Sequence, residues 1–369
     1  MGPQGRLIGC SWVRRLVPSG AGRLQRARPT GSASGSGGDM TRQARAATLK
    51  DVAEAAEVSI STVSRVFSSP GRISPETSRR VREVARRLRF TPNVMARSLI
   101  TGTSPNIGLV VPDISNPYMT SLLKAAQKVS RLHSTGVFVA DTDDSADIER
   151  QVCEQLAQQS RGVILCAPRM STSHIREISR IVPIVLVNRV VDGIPSFSTD
   201  SRAAMRELLD DLVDQGHRRI AYLPGPAGSW ANKQRARTVV DRARALGIDL
   251  VRLDPTTGMH ADGVAAAGKV LELDVTAVMA FDDVLAAGLV EGLRRLGRSV
   301  PDDVSVTGHD DILSELVHPG LTTVTGQSAR IGQLAVARLL DASGSDEAVG
   351  VKAVVVRRSS TGRPRSHPA

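Results

Sequence analysis

Cysteine, clustered histidine and aromatic side chains are what this 369-residue sequence has least of. Its three cysteines, Cys10, Cys153 and Cys166, fall in neither a disulfide framework nor a zinc spacing, which fits a reducing cytoplasm. The seven histidines are equally scattered, with no HxxxH or HExxH pair, so no metal or other cofactor is expected. Also missing are a nucleophile elbow, a GxxxxGKS/T phosphate loop and a GxGxxG run after a strand. Together these absences speak against an enzyme on an α/β scaffold. Paired acids such as Asp282-Asp283 are adjacent, and in regular structure their side chains diverge, so they make no catalytic dyad. Acid is scarce at one end. Residues 1–100 carry 18 Lys/Arg against 6 Asp/Glu, a net of +12, while residues 101–369 carry 30 against 31. A basic excess confined to one end is the footprint of a nucleic-acid-binding module, and a membrane partner would not require it.

Within that basic end, the stretch TLKDVAEAAEVSISTVSRVF at Thr48–Phe67 predicts two short helices joined by a tight turn. Leu49, Val52, Ala53 and Ala56 share one face of the first helix, at the spacing of a buried stripe. Ser59 suits the N-cap of the second, whose Val63, Val66 and Phe67 again share a face. Its opposite face carries Ser61, Ser64, Arg65 and Ser68, with no acid between Glu57 and Glu76. Short hydroxyls and a guanidinium suit phosphates and base edges. Ser74-Pro75-Glu76 then supplies a cap, a proline at the first helical position and an acid in the first turn of a third helix. Val81, Val84, Ala85 and Leu88 give it a core stripe, and its outer face holds Arg79, Arg80, Arg82, Arg86, Arg87 and Arg89. Such a run is ordinarily a solvated face, though beside a recognition helix it can add phosphate contacts. After Pro92, Asn93 can cap one more short helix, Val94–Leu99.

This wording, continued in ISPETSRRVREVARRLRFTPN and ARSL, closely resembles the DNA-binding headpiece of the lactose-repressor (LacI/GalR) family of bacterial transcription regulators. The resemblance implies base reading by Ile60, Ser61 and Arg65, and phosphate contacts by Ser59, Thr62 and Ser64. Leu49, Ser68, Ser74, Thr77, Asn93 and Ala96 complete the DNA-facing set. It also makes the Asn93–Leu99 segment a hinge, with Leu99 the match to a leucine that enters the minor groove and kinks the duplex. One departure stands in the turn, where the family's usual glycine is Glu57. The backbone there must avoid φ > 0 or tolerate it.

The first 39 residues are rich in Gly, Ser and Arg and lack periodicity, so a disordered basic extension is expected over 1–45. LIGC at Leu7–Cys10 mimics a lipoprotein cleavage site, but only six residues precede it, too few for the basic and apolar segments of a signal peptide. Translation starting at Met40 would place the headpiece near the terminus. The remaining expected divisions are a headpiece at 46–92, a hinge and linker at 93–103, a core at 104–363 and a disordered tail at 364–369.

From Asn106 onward, short apolar runs alternate with amphipathic helical stretches. Expected strands are Ile107–Val111, Val137–Ala140, Val163–Leu165, Ile184–Val187, Ile220–Leu223, Val278–Ala280 and Val304–Thr307. The pattern means doubly wound parallel sheets covered on both faces, and about 260 residues exceed a single such core. The whole is therefore expected to be α/β, an all-α helix-turn-helix headpiece on a two-lobed core similar to periplasmic sugar-binding proteins. The family resemblance implies three chain crossings, placed near Thr199–Ser201, Thr322–Thr325 and Ser343–Val351. Lobe 1 would then span about 104–199 and 324–343, and lobe 2 about 200–323 and 351–363.

Ligands of open α/β sheets bind beyond the carboxyl ends of the strands. Those ends hold Asp113–Tyr118, Asn188–Arg189, Asp200, Ser229–Arg235, Asp282–Asp283 and Asp310. Of six aromatics after residue 100, Tyr118, Phe197, Trp230 and Phe281 fall in or beside these loops, which suggests a stacking surface for a small molecule. Carboxylates with arginine suit the hydroxyls of neutral polyols. Arg235 after the PGP loop and Asp283 after AVMAFD match family positions, as do Asn188 and Tyr118. The expected effector set is Tyr118, Asn188, Asp200, Trp230, Arg235, Phe281, Asp283 and Asp310. The sequence departs from the family at Arg202-Ala203-Ala204, at Thr238 and at Gly326, where Gln is common.

The function expected is a cytoplasmic, sequence-specific regulator, a repressor under control of a sugar or polyol effector. A solute-binding protein of transport would share the core but need an export signal and no headpiece. A nucleoside-type effector is the other alternative. One helix-turn-helix reads only a few base pairs, so two copies on a palindromic, double-stranded operator are needed. From Val354 the chain reads VVVRRSSTGRPRSHPA, with no heptad repeat to build a tetramer, so a homodimer is expected.

Overall fold

The structure, a computed structural model, describes residues 47–68, 70–90, 104–341 and 345–365. The expected extension at 1–45 and the hinge at 93–103, with Asn93, Ala96 and Leu99, lie outside the described residues. The chain forms two units that divide after Pro92.

The first unit is built by three helices, α1 (Leu49–Ala55), α2 (Ile60–Ser68) and α3 (Pro75–Arg87). Thr48 opens α1 with a capping box: its hydroxyl accepts from the Asp51 amide, and the Asp51 carboxylate accepts from the Thr48 amide at 2.7 Å. This reciprocal pair satisfies two amides that the first turn leaves open. Val52, Ala53, Ala56, Val63, Val66, Val81, Val84 and Ala85 form one core, as their spacing predicted. Phe67 and Phe90 close its edge with ring centroids 5.9 Å apart. At the turn, Glu57 adopts φ 51°, so the chain accepts the left-handed conformation without the glycine that makes it easy. Arg89 does the same after α3.

The second unit carries two parallel sheets. The first has six strands in the order β11-β5-β4-β3-β1-β2, using β1 (Ile107–Val111), β2 (Val137–Asp141), β3 (Val163–Cys166), β4 (Ile184–Val187), β5 (Ser196–Asp200) and β11 (Ala348–Lys352). The second has four, β7-β6-β8-β9, from β6 (Arg219–Leu223), β7 (Asp249–Arg252), β8 (Ala277–Ala280) and β9 (Ser305–Thr307). Helices α4 (Pro117–Leu132), α5 (Ala146–Gln159), α6 (Thr172–Ile181) and α11 (Ser328–Leu340) serve the first sheet. Helices α7 (Arg202–Asp214), α8 (Trp230–Leu246), α9 (His260–Glu272) and α10 (Asp283–Arg295) serve the second. Strands β1, β3, β4 and β8 are buried along their whole length, the mark of sheets covered on both faces.

The chain passes between the lobes three times. It leaves the first sheet after β5, and the short antiparallel pair β10 (Thr323–Val324) with β12 (Val355–Val356) flanks the other two passages. The passage expected within Ser343–Val351 falls later. Ala348–Lys352 is held in register along β5, so the chain stays on the first sheet until Ala353, which is buried in the second lobe. Order also continues past the expected start of the tail: Arg365 reaches Asp302 at 3.0 Å and Asp303 at 3.2 Å. Among the described residues, no helix is long and apolar enough to cross a membrane.

Helices α9 and α10 touch backbone to backbone. A Cβ at Gly288 would overlap the His260 carbonyl oxygen, one at Gly263 the Leu285 carbonyl, and one at Gly292 would come 2.6 Å from the Val264 carbonyl. Gly268 on the same helix α9 faces open space. Gly288→Ala should therefore destabilise the protein by about 1–3 kcal/mol or more through overpacking. Gly268→Ala should stabilise it by up to about 1 kcal/mol through helix propensity. Urea unfolding of the two variants would show opposite shifts of midpoint, and equal shifts would mean the helices do not approach this closely.

Candidate nucleic-acid interface and ligand cleft

In the first unit the N-terminus of α2 is a cluster of hydroxyls. The Thr62 amide donates to Ser59 Oγ at 3.1 Å, and Ser59 Oγ lies 2.8 Å from both Ser61 Oγ and Thr62 Oγ1. Ser59 therefore caps the helix, as its position predicted. Ser61 and Arg65 are exposed, Thr62 and Ser64 half-buried, and Ile60 is 50% exposed. An apolar side chain held in water beside hydroxyls and a guanidinium suits a groove edge, where a thymine methyl can cover it. Leu49 is partly buried against the core beneath α1. Ser68 ends α2. Ser74 caps α3 by accepting from the Thr77 amide, and its hydroxyl donates to Thr77 Oγ1 at 2.9 Å. No acid lies between Glu57 and Glu76, so α2 itself presents no carboxylate to repel phosphate.

In the second unit, loops at the carboxyl ends of both sheets enclose a cavity of about 620 Å³. Tyr118, Asn188, Arg235, Phe281 and Asp310 of the expected set line it. The Arg235 guanidinium is the centre of this group. Nη1 donates to the Phe281 carbonyl at 2.6 Å, Nη2 donates to Asp310 at 3.4 Å, and the cation sits 4.6 Å over the Phe281 ring. Asp310 also takes a 2.7 Å bond from His309 Nδ1. Asn188 Nδ2 donates to the Tyr118 hydroxyl at 3.0 Å, while its carbonyl accepts from the Thr199 amide. Gly326 fits here for a steric reason: a Cβ would lie 2.7 Å from Asp310 Oδ1 and 3.0 Å from Tyr118.

Three expected residues lie elsewhere. Asp200 ends β5 on the surface, 3.3 Å from Arg202 Nε, because the strand delivers its side chain beside the sheet edge at Gly350. Trp230 opens α8 partly exposed, outside the cavity lining. Asp283 points away from the cavity, accepting from Thr323 Oγ1 at 2.7 Å and the Ile312 amide at 2.9 Å. Its neighbour Asp282 takes the cavity side, as adjacent side chains on one backbone must diverge, and caps α10 by accepting from Leu285 at 2.9 Å. Of the four aromatics expected to form a stacking surface, Tyr118 and Phe281 reach the cavity and Trp230 and Phe197 do not. Phe197 is packed in the first lobe's core, and Phe281 is wedged between Arg235 and Gly225, whose missing Cβ leaves room for the ring. The residues that the sequence reading passed over are Asp143 and Asp144 after β2, Arg169 after β3 and Thr256–Met259 after β7. The strand-end rule applied to β2 and β3 would have found the first three; β7 is half-exposed and carries no apolar run.

Burial dominates the electrostatics. It pushes the Asp282 carboxyl up to about 7, helped by the nearby Asp310 charge, and Asp283 also to about 7. Asp310 rises to about 6 by burial, with Arg235 opposing. Burial first, then Arg235, lowers His309 well below its ordinary value, so the ring is neutral. Burial raises the Tyr118 hydroxyl to about 12, leaving it protonated.

Residues 48–93 match the family model for bacterial regulatory proteins of the lacI family, and residues 209–361 match the periplasmic-binding-protein-like domain. Catabolite control protein A of Priestia megaterium is 30% identical over 305 residues, spanning 79% of this chain and 91% of that protein. The ribose operon repressor of Halalkalibacterium halodurans is 31% identical over 299 residues, 75% of this chain and 84% of that one. Among solved structures, the lac repressor dimer bound to operator and the anti-inducer ONPF superposes with a TM-score of 0.79, covering 86% of this chain and 100% of that one at 24% identity. That likeness establishes the fold.

A carboxyl whose native pKa lies above its unfolded value holds more protons folded than unfolded between the two values, so stability falls as pH rises through that window. For Asp282 and Asp283 the window runs from 3.8 to about 7, and for Asp310 from 3.8 to about 6. Asp282→Asn keeps a cap acceptor and removes one of the three penalties. Its stability relative to the wild type should rise from pH 5 to pH 8 in urea unfolding. A difference independent of pH would show that Asp282 is not held in a raised state.

Proposed function

Because the chain belongs to the lacI family of bacterial regulatory proteins, we propose that it represses transcription from a palindromic operator, bound as a homodimer, with its DNA affinity set by a sugar or polyol in the cavity of the core. The observation that carries this reading is one chain holding both an α2 that is acid-free on its outer face and capped by hydroxyls and a cavity between two lobes into which arginine, asparagine and aspartate side chains converge. In this reading 46–92 is the headpiece, 93–103 the hinge, and 104–363 the core. Ile60, Ser61 and Arg65 read bases, with Ser59, Thr62 and Ser64 on phosphates. Leu99 enters the minor groove at the operator centre. The protein works in the cytoplasm, on the nucleoid. Tyr118, Asn188, Arg235, Phe281, Asp282 and Asp310 receive the effector. Transport of a solute needs no headpiece, and the Arg235 guanidinium over one face of Phe281 leaves less of that ring for stacking of a nucleobase.

Ligand control follows if the effector favours one lobe geometry and the hinge responds to it. The test is a gel shift with DNA upstream of the gene itself, with and without sugars. Arg65→Ala should weaken binding by about 1–3 kcal/mol and relax preference at one base pair per half-site. Ser64→Ala should weaken all sequences alike. Unchanged affinity and preference in Arg65→Ala would show that α2 is not the reading helix.

A further inference from the structure

The expected ligand of an acid-and-arginine cleft is a neutral polyol, yet the charges around this cavity do not balance. Five carboxyl groups line it, Asp113, Asp143, Asp144, Asp282 and Asp310, two of them holding protons toward neutral pH, against two guanidiniums, Arg169 and Arg235. Both guanidiniums are already engaged. Arg169 donates to Asp144 at 2.7 Å and to the Ala167 carbonyl at 2.7 Å. Arg235 is held by the Phe281 carbonyl, by Asp310 and by the ring of Phe281. Among the described residues, no lysine lines the cavity.

Asp282 is the least satisfied of the acids. It is 1% exposed, its Oδ1 takes the Leu285 amide, and its Oδ2 receives only a 3.4 Å bond from Asn116 Nδ2. A buried carboxylate with so little compensation is costly until a cation reaches it. An anionic ligand would meet surplus negative charge and no free guanidinium. An aromatic ligand would find one face of Phe281 already taken by the Arg235 guanidinium. The neutral Asn116, Asn188 and Ser229 on the same walls suit hydroxyls.

We propose that the effector is a polyhydroxylated amine, such as an amino sugar, whose ammonium group is received between Asp282 and Asp310. The inference rests on reading the cavity as the effector site. An ammonium offers three donors, enough for the long-bonded oxygen of Asp282 and a free lone pair of Asp310. The charged groups facing Asp282 are Asp310, Asp283 and Arg235, with the neutral His309 behind Asp310. A cation arriving among them releases protons held by the acids, whereas a neutral hydroxyl does not.

Calorimetry and thermal shift on the full chain, with D-glucosamine, D-galactosamine and D-mannosamine as probes, test this. Each is compared with its parent hexose and its N-acetyl derivative, and glucose 6-phosphate serves as the anionic control. At least one amine should bind about tenfold or more tightly than both uncharged counterparts, about 1.4 kcal/mol. Asp282→Asn should remove that advantage. Independently of any variant, amine binding to the wild type near pH 6.5 should release protons, read from the buffer dependence of the heat. Uncharged counterparts binding as well as the amines, tightest binding of the phosphate, or no response to any amine would each overturn the inference. If an uncharged hexose binds and Arg235→Gln abolishes it, the cavity is still the effector site and only the amine is wrong. Silence of every probe, with operator binding indifferent to all of them, would remove both readings.

Discussion

The buried guanidinium of Arg235 is the constraint on which the core's cavity is built. It reaches from α8 to the end of β8 through the Phe281 carbonyl and to the loop after β9 through Asp310. It thereby fixes three chain segments that are far apart in sequence. Its charge also opposes the upward shift that burial imposes on Asp310 and Asp282. Even so, one cation does not neutralise the group, and the carboxyls respond by holding protons toward neutral pH. The same cation occupies one face of Phe281 while Gly225 admits the ring from the other side. One interaction thus places a charge on the cavity wall and takes one face of its aromatic ring.

Close approach of backbone shapes the second lobe in a comparable way. Glycines 263, 288 and 292 let α9 and α10 meet without side chains between them. This brings the N-terminus of α10, with Asp282 as its cap, into a fixed position at the cavity wall. Gly326 performs the same service at the passage between lobes, where Asp310 and Tyr118 leave no room for a Cβ. A glutamine there, common in the family, would have to displace one of them.

The headpiece obeys a simpler logic. Eight small apolar side chains fill its core, and its helices are closed by Thr48, Ser59 and Ser74. The turn before α2 and the end of α3 both take the left-handed conformation at residues with long charged side chains, Glu57 and Arg89. The local cost is borne because the surrounding helices fix the geometry on either side.

The sequence alone determined which elements form and which faces they bury. The stripes of the three headpiece helices and the apolar runs of β1, β3, β4 and β8 came through because periodicity and continuous burial are local properties, written within a few residues. Elements with weaker local signals, such as the half-exposed β7 and the edge strand β11, depended on partners elsewhere in the chain. So did the site. Strand-end position brought Tyr118, Asn188, Arg235, Phe281 and Asp310 to one cavity, but it could not choose between Asp282 and Asp283, because both sit at the same strand end and only the helix cap and Thr323 decide which one turns inward. It likewise could not place Asp200 outside the cavity, since pairing with β11 fixes that edge, nor see that Phe197 belongs to the first lobe's core. Pattern along the chain fixes elements. The direction in which each side chain points, and the charge it must live beside, are decided only when distant segments pack.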